Sequence, residues 1–179
     1  MKTAVLYAAS AALAVFASAN AVASETKVTA SNGVVVDVNG DEFSNRYEYS
    51  APSLKLGESE GFVLVAAIDK NGTKTGVMAT GSVYYNGEWR FYDQALFRGG
   101  DNAPAVFGDR DVVSCRGSRY SSGCSLREGF QINLTDALVQ KHAVDGNVQV
   151  QIRAKGLYPV MVTIPVSYYT AVKEALASR

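Results

Sequence analysis

This chain has few of the residues on which metal sites and nucleophilic catalysis depend. It carries two cysteines and one histidine in 179 residues, whereas a structural zinc site takes four sulfur or nitrogen ligands. No glycine pattern forms a phosphate cradle either, since Gly99-Gly100 is not followed by Lys and then Ser or Thr. We therefore expect neither a structural metal site nor a cofactor.

An excess of charge of either sign is also missing. The sequence has 17 Lys and Arg against 17 Asp and Glu. A protein that binds nucleic acid through its bulk charge needs a basic excess, and a disordered acidic chain needs the opposite. The balance predicts a globular protein with no nucleic-acid partner.

Long hydrophobic runs are absent except near the start of the chain. A run of small and apolar residues at 4–16 follows a basic start and leads to a small-x-small site that ends at Ala23. This arrangement predicts a cleaved secretory signal peptide over 1–23, and its alanine-rich composition indicates a bacterial one. No later stretch reaches the roughly 20 apolar residues of a membrane-spanning helix. We expect one periplasmic or secreted domain over 24–179, without a transmembrane segment.

What the chain does contain is a series of short β-type runs separated by turn residues. Asn-Gly and Asp-Gly pairs accept positive φ and favour tight turns. They lie at 32–33, 39–40, 71–72, 86–87 and 145–146. The pattern of strand-like runs and turns over residues 62–97 predicts a three-stranded meander. Apolar and polar residues then alternate at 130–134, 148–152 and 160–164, which is typical of strands with one face in the core.

Two segments favour helix instead. Thr135 is a suitable N-cap for a short helix that ends at His142, and residues 167–177 have the spacing of an amphipathic helix. We therefore expect a mainly β domain with one short internal helix and a C-terminal amphipathic helix. The strands are expected to form an antiparallel β-sandwich, with an immunoglobulin-like outline as one form of it. Its N-terminal edge, 24–32, is expected to be loose.

Two cysteines close in sequence define the first candidate site. In an oxidising compartment, Cys115 and Cys124 are expected to pair. The ring that they close carries Arg116, Arg119 and Tyr120, residue types that make large contacts at binding surfaces. The alternative is that the bridge only staples a connection between two strands. No Cys-x-x-Cys motif is present, so a redox role is not expected.

Aromatic residues around the turn at 86–87 define the second candidate site. Tyr84, Trp89 and Tyr92 flank this turn, and in a hairpin the two arms interleave their side chains. One face is expected in the core. The other face, with Tyr84, Tyr92 and Arg90, is a candidate surface for sugar rings or a protein partner. Core and cross-strand packing is the competing interpretation.

Catalytic and ion-binding patterns are weak. His142 has no Gly-x-Ser-x-Gly serine to act upon and is interpreted as a surface or helix-end residue. Asp37 could begin a calcium loop, but the sixth position is Glu42 where glycine is needed. That segment is interpreted as a hairpin tip at Asn39-Gly40. No pair among the 17 acids has a spacing that marks it as glycosidase carboxylates.

These features together predict a non-catalytic binding or assembly module of the bacterial cell envelope, with another protein or an envelope glycan as its partner. One alternative is an inhibitor of an exported hydrolase that presents the ring 115–124 as a rigid loop. The other is a carboxylate-dependent hydrolase, which requires a pocket with convergent acids. An inhibitor requires a projecting ring, and an assembly module requires an apolar patch or an unpaired strand edge.

Overall fold

The structure is a computed structural model that describes residues 24–56, 60–118, 121–154 and 158–178. The segment 1–23, for which a signal peptide is predicted, lies outside these ranges. In chain order the elements are β1 (Ser24–Thr29), β2 (Val35–Asp41), β3 (Arg46–Ser50), β4 (Leu54–Lys55), β5 (Gly61–Lys70), β6 (Thr73–Lys74), β7 (Met78–Gly87), β8 (Tyr92–Phe97), β9 (Ala105–Ser118), β10 (Ser121–Asn133), α1 (Asp136–His142), β11 (Ala143–Val144), β12 (Asn147–Ala154), β13 (Val160–Pro165) and α2 (Val166–Ala177).

Two antiparallel sheets contain all of these strands. Sheet A has the order β1-β2-β3-β5-β7-β10-β9, and the short strands β4 and β6 also pair with β5. It is large and open, and neither the expected sandwich nor an immunoglobulin-like arrangement is confirmed. In sheet B, β12 is central, with β13 along one side and β8 and β11 along the other. The expectation of a mainly β chain with antiparallel sheets and two helices is confirmed.

One hydrophobic core joins both sheets and α2. The predicted alternation holds in β12, where Val148, Val150 and Ile152 are fully buried and the residues between them face outward. α2 lies against sheet A, chiefly at β5, and buries one face there. Thr135 caps α1 as predicted, since its hydroxyl accepts a hydrogen bond from the amide of Leu138.

The predicted meander over 62–97 is wrong at its third strand. β5 and β7 do pair with each other, but the other side of β7 pairs with β10, and β8 pairs with β12 in sheet B. Asn86 and Gly87 end β7 and lie opposite Ser125 and Cys124 instead of forming a hairpin turn. Because β10 occupies the side of β7 that a hairpin would need, residues 88–91 lead away from sheet A.

Two predictions for the N-terminal part are also wrong. The segment 24–32 is not loose, since β1 pairs with β2 along its whole length. Asn39 and Gly40 lie within β2, and the turn follows at 42–45. Asp41 starts that turn by accepting hydrogen bonds from the amides of Phe43 (3.0 Å) and Ser44 (3.3 Å), an arrangement that Asp favours.

Candidate functional site

β9 and β10 form a long hairpin with a disulfide near its far end. Cys115 and Cys124 lie opposite each other in the register, with their Cα atoms 4.1 Å apart, and are bonded, which confirms the predicted pairing. β7 pairs with β10 only as far as Cys124, which lies opposite Gly87. The disulfide therefore lies where the hairpin passes the end of its neighbouring strand, and the ring extends beyond it.

The three ring residues predicted to bind a partner cannot be placed on a surface. Arg119 and Tyr120 lie outside the described residues, and Arg116 is described only through its backbone in β9. A binding role for these three residues therefore stays a prediction.

β9 is an edge of sheet A, because among the described strands it pairs only with β10. Val106, Val112 and Val113 are exposed on it. Its register with β10 is irregular at two places, and Asp109, at one of them, has a φ of 48°. Bulges and charged residues on an edge oppose the addition of another strand. β9 thus presents exposed side chains along a backbone edge that is interrupted by its irregular register.

A buried carboxylate ties this hairpin to the segment that connects the two sheets. Glu128 of β10 is 2% exposed. Its carboxylate oxygens accept hydrogen bonds from the backbone amides of Arg90 (3.1 Å), Phe91 (2.9 Å) and Tyr92 (3.0 Å). These amides belong to the stretch that leaves β7 and enters β8. One side chain of sheet A therefore holds the crossing to sheet B in place.

Two side chains complete the hydrogen bonding of Glu128. The Tyr85 hydroxyl donates to it, and so does Arg110 Nε at 3.1 Å. Burial alone raises the pKa of Glu128, but the hydrogen bonds from Tyr85, Arg110 and the backbone amides outweigh it and lower that pKa below its ordinary value. Burial, together with the hydrogen bond to Glu128, raises the pKa of Tyr85 to about 12. At neutral pH the pair is carboxylate and neutral phenol.

Two exposed aromatic rings lie beside this carboxylate, each against an arginine. The Arg90 guanidinium is 4.2 Å from the Tyr85 ring centroid and 4.4 Å from the Tyr158 ring centroid. The Arg110 guanidinium is 5.1 Å from the Phe91 ring centroid. Phe91 is 52% exposed and Tyr158 is 59% exposed. We call these five residues the arginine–aromatic cluster.

Both exposed rings sit on unusual backbone. Phe91 has a φ of 56° and Tyr158 a φ of 104°, in the left-handed region that bulky side chains rarely adopt. Such conformations cost on the order of 1–3 kcal/mol each and persist where the surroundings determine them. At Phe91 the determining contact is the hydrogen bond from its amide to Glu128. Both rings are therefore exposed on backbone that bulky residues rarely adopt, and the Phe91 backbone is held there by Glu128.

The aromatic residues predicted as the second site do not share a surface. Tyr92 is buried, Trp89 is half-buried against the core, and Tyr84 is half-buried on the outer face of sheet A beside Phe62. The expected shared face of Tyr84 and Tyr92 is wrong, because the hairpin that would align them does not form. Only Arg90 of that group belongs to the cluster.

His142 ends α1 as predicted, but it is not a surface residue. Its side chain is 7% exposed, and its ring stacks on Phe97 with 4.0 Å between centroids. Nε2 lies 3.7 Å from a carboxylate oxygen of Asp101. These contacts describe a packed histidine at the end of a helix.

Three general findings bear on function. No group of three or more His, Cys, Asp and Glu within the described ranges lies where a metal ion could bind. The part of the chain that the structure describes contains no helix that is both long and apolar enough to cross a membrane. No family model, no curated protein and no solved structure matches this chain.

Proposed function

We propose that this chain is a non-catalytic binding module of an exported compartment, and that it contacts a partner protein through the arginine–aromatic cluster beside the stapled hairpin. The observation that carries the proposal is the exposure of Phe91 and Tyr158 on strained backbone, each ring against an arginine. Tyr and Arg are enriched among the residues that dominate binding energy. Rings that are fixed before binding lose little conformational entropy on contact.

The state of Glu128 favours binding over hydrolysis at this site. A general acid or base must exchange a proton at working pH. Glu128 is instead buried, and both of its oxygens accept hydrogen bonds from described donors, so neither oxygen is open to a substrate. The carboxylate thus serves to position the cluster.

The disulfide supports the location predicted from the leader. Disulfides persist in oxidising compartments such as the periplasm and the cell exterior, and Cys115 pairs with Cys124. We also infer that the two sheets pack face to face as a sandwich, because residues of both belong to one core cluster.

Binding to a partner can be tested by capture with matched variants. The chain 24–179 is immobilised and exposed to an envelope extract, and captured proteins are quantified for wild type, Phe91→Ala, Tyr158→Ala and Phe43→Ala. Phe43 is the control, since it is 84% exposed in the β2–β3 turn, outside the cluster. We expect one protein to be retained by wild type and the control but lost from both cluster variants.

The captured protein is then purified and its Kd is measured against each variant. Truncating a dominant contact residue costs about 2 kcal/mol, so each cluster variant should bind roughly 30-fold more weakly. Far-UV and near-UV circular dichroism must be unchanged. Equal affinity of all four proteins would show that the cluster is not the contact surface.

An inhibitor of an exported hydrolase is a second candidate. It is supported by the extension of the ring past the end of β7, beyond the Cys115–Cys124 bridge. An inhibitor that uses the ring should lose activity in Arg119→Ala and retain it in Phe91→Ala. The reverse pattern favours the cluster, and inhibition that survives both substitutions removes the ring as the inhibitory element.

A further inference from the structure

A separate groove lies on the outer face of sheet A, opposite the side on which Glu128 lies. It crosses β5, β7, β10 and β9 and has a volume of about 350 Å³. Among its lining residues are Phe62, Thr80, Ser82, Arg127 and Gln131. Pockets that hold small molecules begin at about this size.

Two glycines and a bulge shape this groove. Gly108 and Gly129 face each other across β9 and β10 and leave the space above the strands open. A Cβ on Gly129 would lie 3.1 Å from the Cβ of Asp109, so the register irregularity places the Asp109 side chain over that glycine. Bulges commonly redirect a side chain in this way. The Asp109 carboxylate accepts no hydrogen bond from any described residue, and it lines the groove.

An aromatic platform flanks the same groove. Phe62 is 40% exposed, and its ring centroid lies 6.4 Å from that of Tyr84 with an angle of 32° between the rings. Neighbouring rings at a shallow angle offer an extended apolar surface. The hydroxyls of Thr80 and Ser82 and the amide of Gln131 lie close by. The groove thus combines ring faces with hydrogen-bonding groups.

The charge of the groove selects among ligands. Arg127 forms an ion pair with Asp111 on the same face and also interacts electrostatically with Asp109, so two carboxylates accompany one guanidinium and the local charge is negative. Anionic ligands such as phosphate or acidic glycans are therefore disfavoured. A ligand rich in hydroxyl donors, with apolar ring faces of its own, matches both the carboxylate acceptor and the aromatic platform.

We propose that this groove binds a neutral oligosaccharide. Its sugar rings stack on Phe62 and Tyr84, and hydroxyl groups donate hydrogen bonds to Asp109. The site goes beyond the proposed protein contact, because it lies on the other face of sheet A and uses none of the residues of the arginine–aromatic cluster.

Titration calorimetry with two neutral probes, maltotetraose and tetra-N-acetylchitotetraose, tests the proposal on the chain 24–179. We expect saturable binding of at least one probe, and the same Kd at 50 and 500 mM NaCl since no charge of the ligand is involved. Failure of both probes to bind overturns the proposal. Loss of saccharide binding at 500 mM NaCl would also overturn it, and so would binding of tetramethylammonium at the same residues. Either result would identify a site for cations.

Matched variants locate the binding. Phe62→Ala removes part of the platform, and Asp109→Asn removes the charge while keeping a residue that tolerates positive φ. Each should weaken saccharide binding roughly tenfold or more, with unchanged circular dichroism. Phe43→Ala should have no effect, and equal binding by Phe62→Ala and wild type would contradict the assignment. Phe91→Ala should retain saccharide binding, so this proposal and the proposed protein contact can fail independently.

Discussion

At the scale of single residues, Glu128 determines more of the site than any exposed side chain does. A buried charge is favourable only where hydrogen bonds replace its lost hydration. Backbone amides, a tyrosine hydroxyl and an arginine provide that replacement. The same bonds hold Phe91 at a positive φ. The residue that positions the exposed rings is therefore itself buried.

Glu128→Gln should lower the free energy of unfolding at pH 7 by about 2–4 kcal/mol, because glutamine offers one acceptor oxygen and turns an NH₂ group towards donors. Urea unfolding of both proteins across pH 7 to 3 measures this difference. The folded pKa of Glu128 lies below the reference value of 4.5, so its stabilising contribution is complete above that value. The difference in unfolding free energy between wild type and Glu128→Gln should be constant down to about pH 5. It should then narrow as the pH falls through the folded-state pKa of Glu128.

Glu25→Gln provides the control, since Glu25 is an exposed acid on β1. Exposed substitutions of this kind change stability by less than about 0.5 kcal/mol. A difference between wild type and Glu128→Gln that is equally small, or that does not narrow at low pH, would contradict the role given to the buried carboxylate.

At the scale of elements, the β9–β10 hairpin has a base where β10 also pairs with β7 and a far end where β9 and β10 pair only with each other. β10 pairs with β7 over 124–133 and with β9 over a longer stretch. The disulfide lies at the boundary between these two regions. Its physical effect is to close a short ring where β9 and β10 pair only with each other and β7 no longer supports them. This is the staple interpretation, and it is also a condition for the ring to act as a rigid contact.

Replacing both Cys115 and Cys124 by serine should lower the free energy of unfolding by about 2–3 kcal/mol, the chain-entropy value for so short a ring. Denaturant unfolding of the variant and of wild type measures it. Amide exchange should increase most at 116–118 and 121–123, because these residues lie past the end of β7, and less in β12. A variant as stable as wild type, or one with faster exchange in β12 than in the ring, would contradict this account.

At the scale of the whole molecule, the two sheets and α2 share one core and depend on each other for burial. Trp89, the only tryptophan in the chain, lies in the crossing segment and packs against that core. Its fluorescence therefore reports on the contact between the sheets, whereas far-UV circular dichroism reports on the strands themselves.

We expect both signals to change in a single coincident transition during urea unfolding, because neither sheet has a separate core among the described residues. Phe97→Ala, which removes a buried ring from β8, should shift both transitions together to lower urea concentration. A fluorescence transition that precedes the dichroism transition would show that sheet B separates from sheet A before sheet A unfolds.

Features that depend on near neighbours in the chain could be predicted from the residues alone. The alternation at 148–152, the cap at Thr135 and the pairing of two cysteines close in sequence are local, and each is found in the structure. Local geometry governs them, because side-chain direction in a strand and the first turn of a helix depend on adjacent residues.

The order of the strands and the contacts between distant residues became clear from the complete fold. A two-residue hydrophobic period tells which face of a strand is buried, but not which strand lies beside it. The Asn86-Gly87 dipeptide favours a turn, but it could not reveal that β10 pairs with β7 at this position. Tyr158 reaches Arg90, and Asp109 reaches the groove, through pairing and burial across the whole molecule. Strand partners follow from the burial of the entire core, which no short segment encodes.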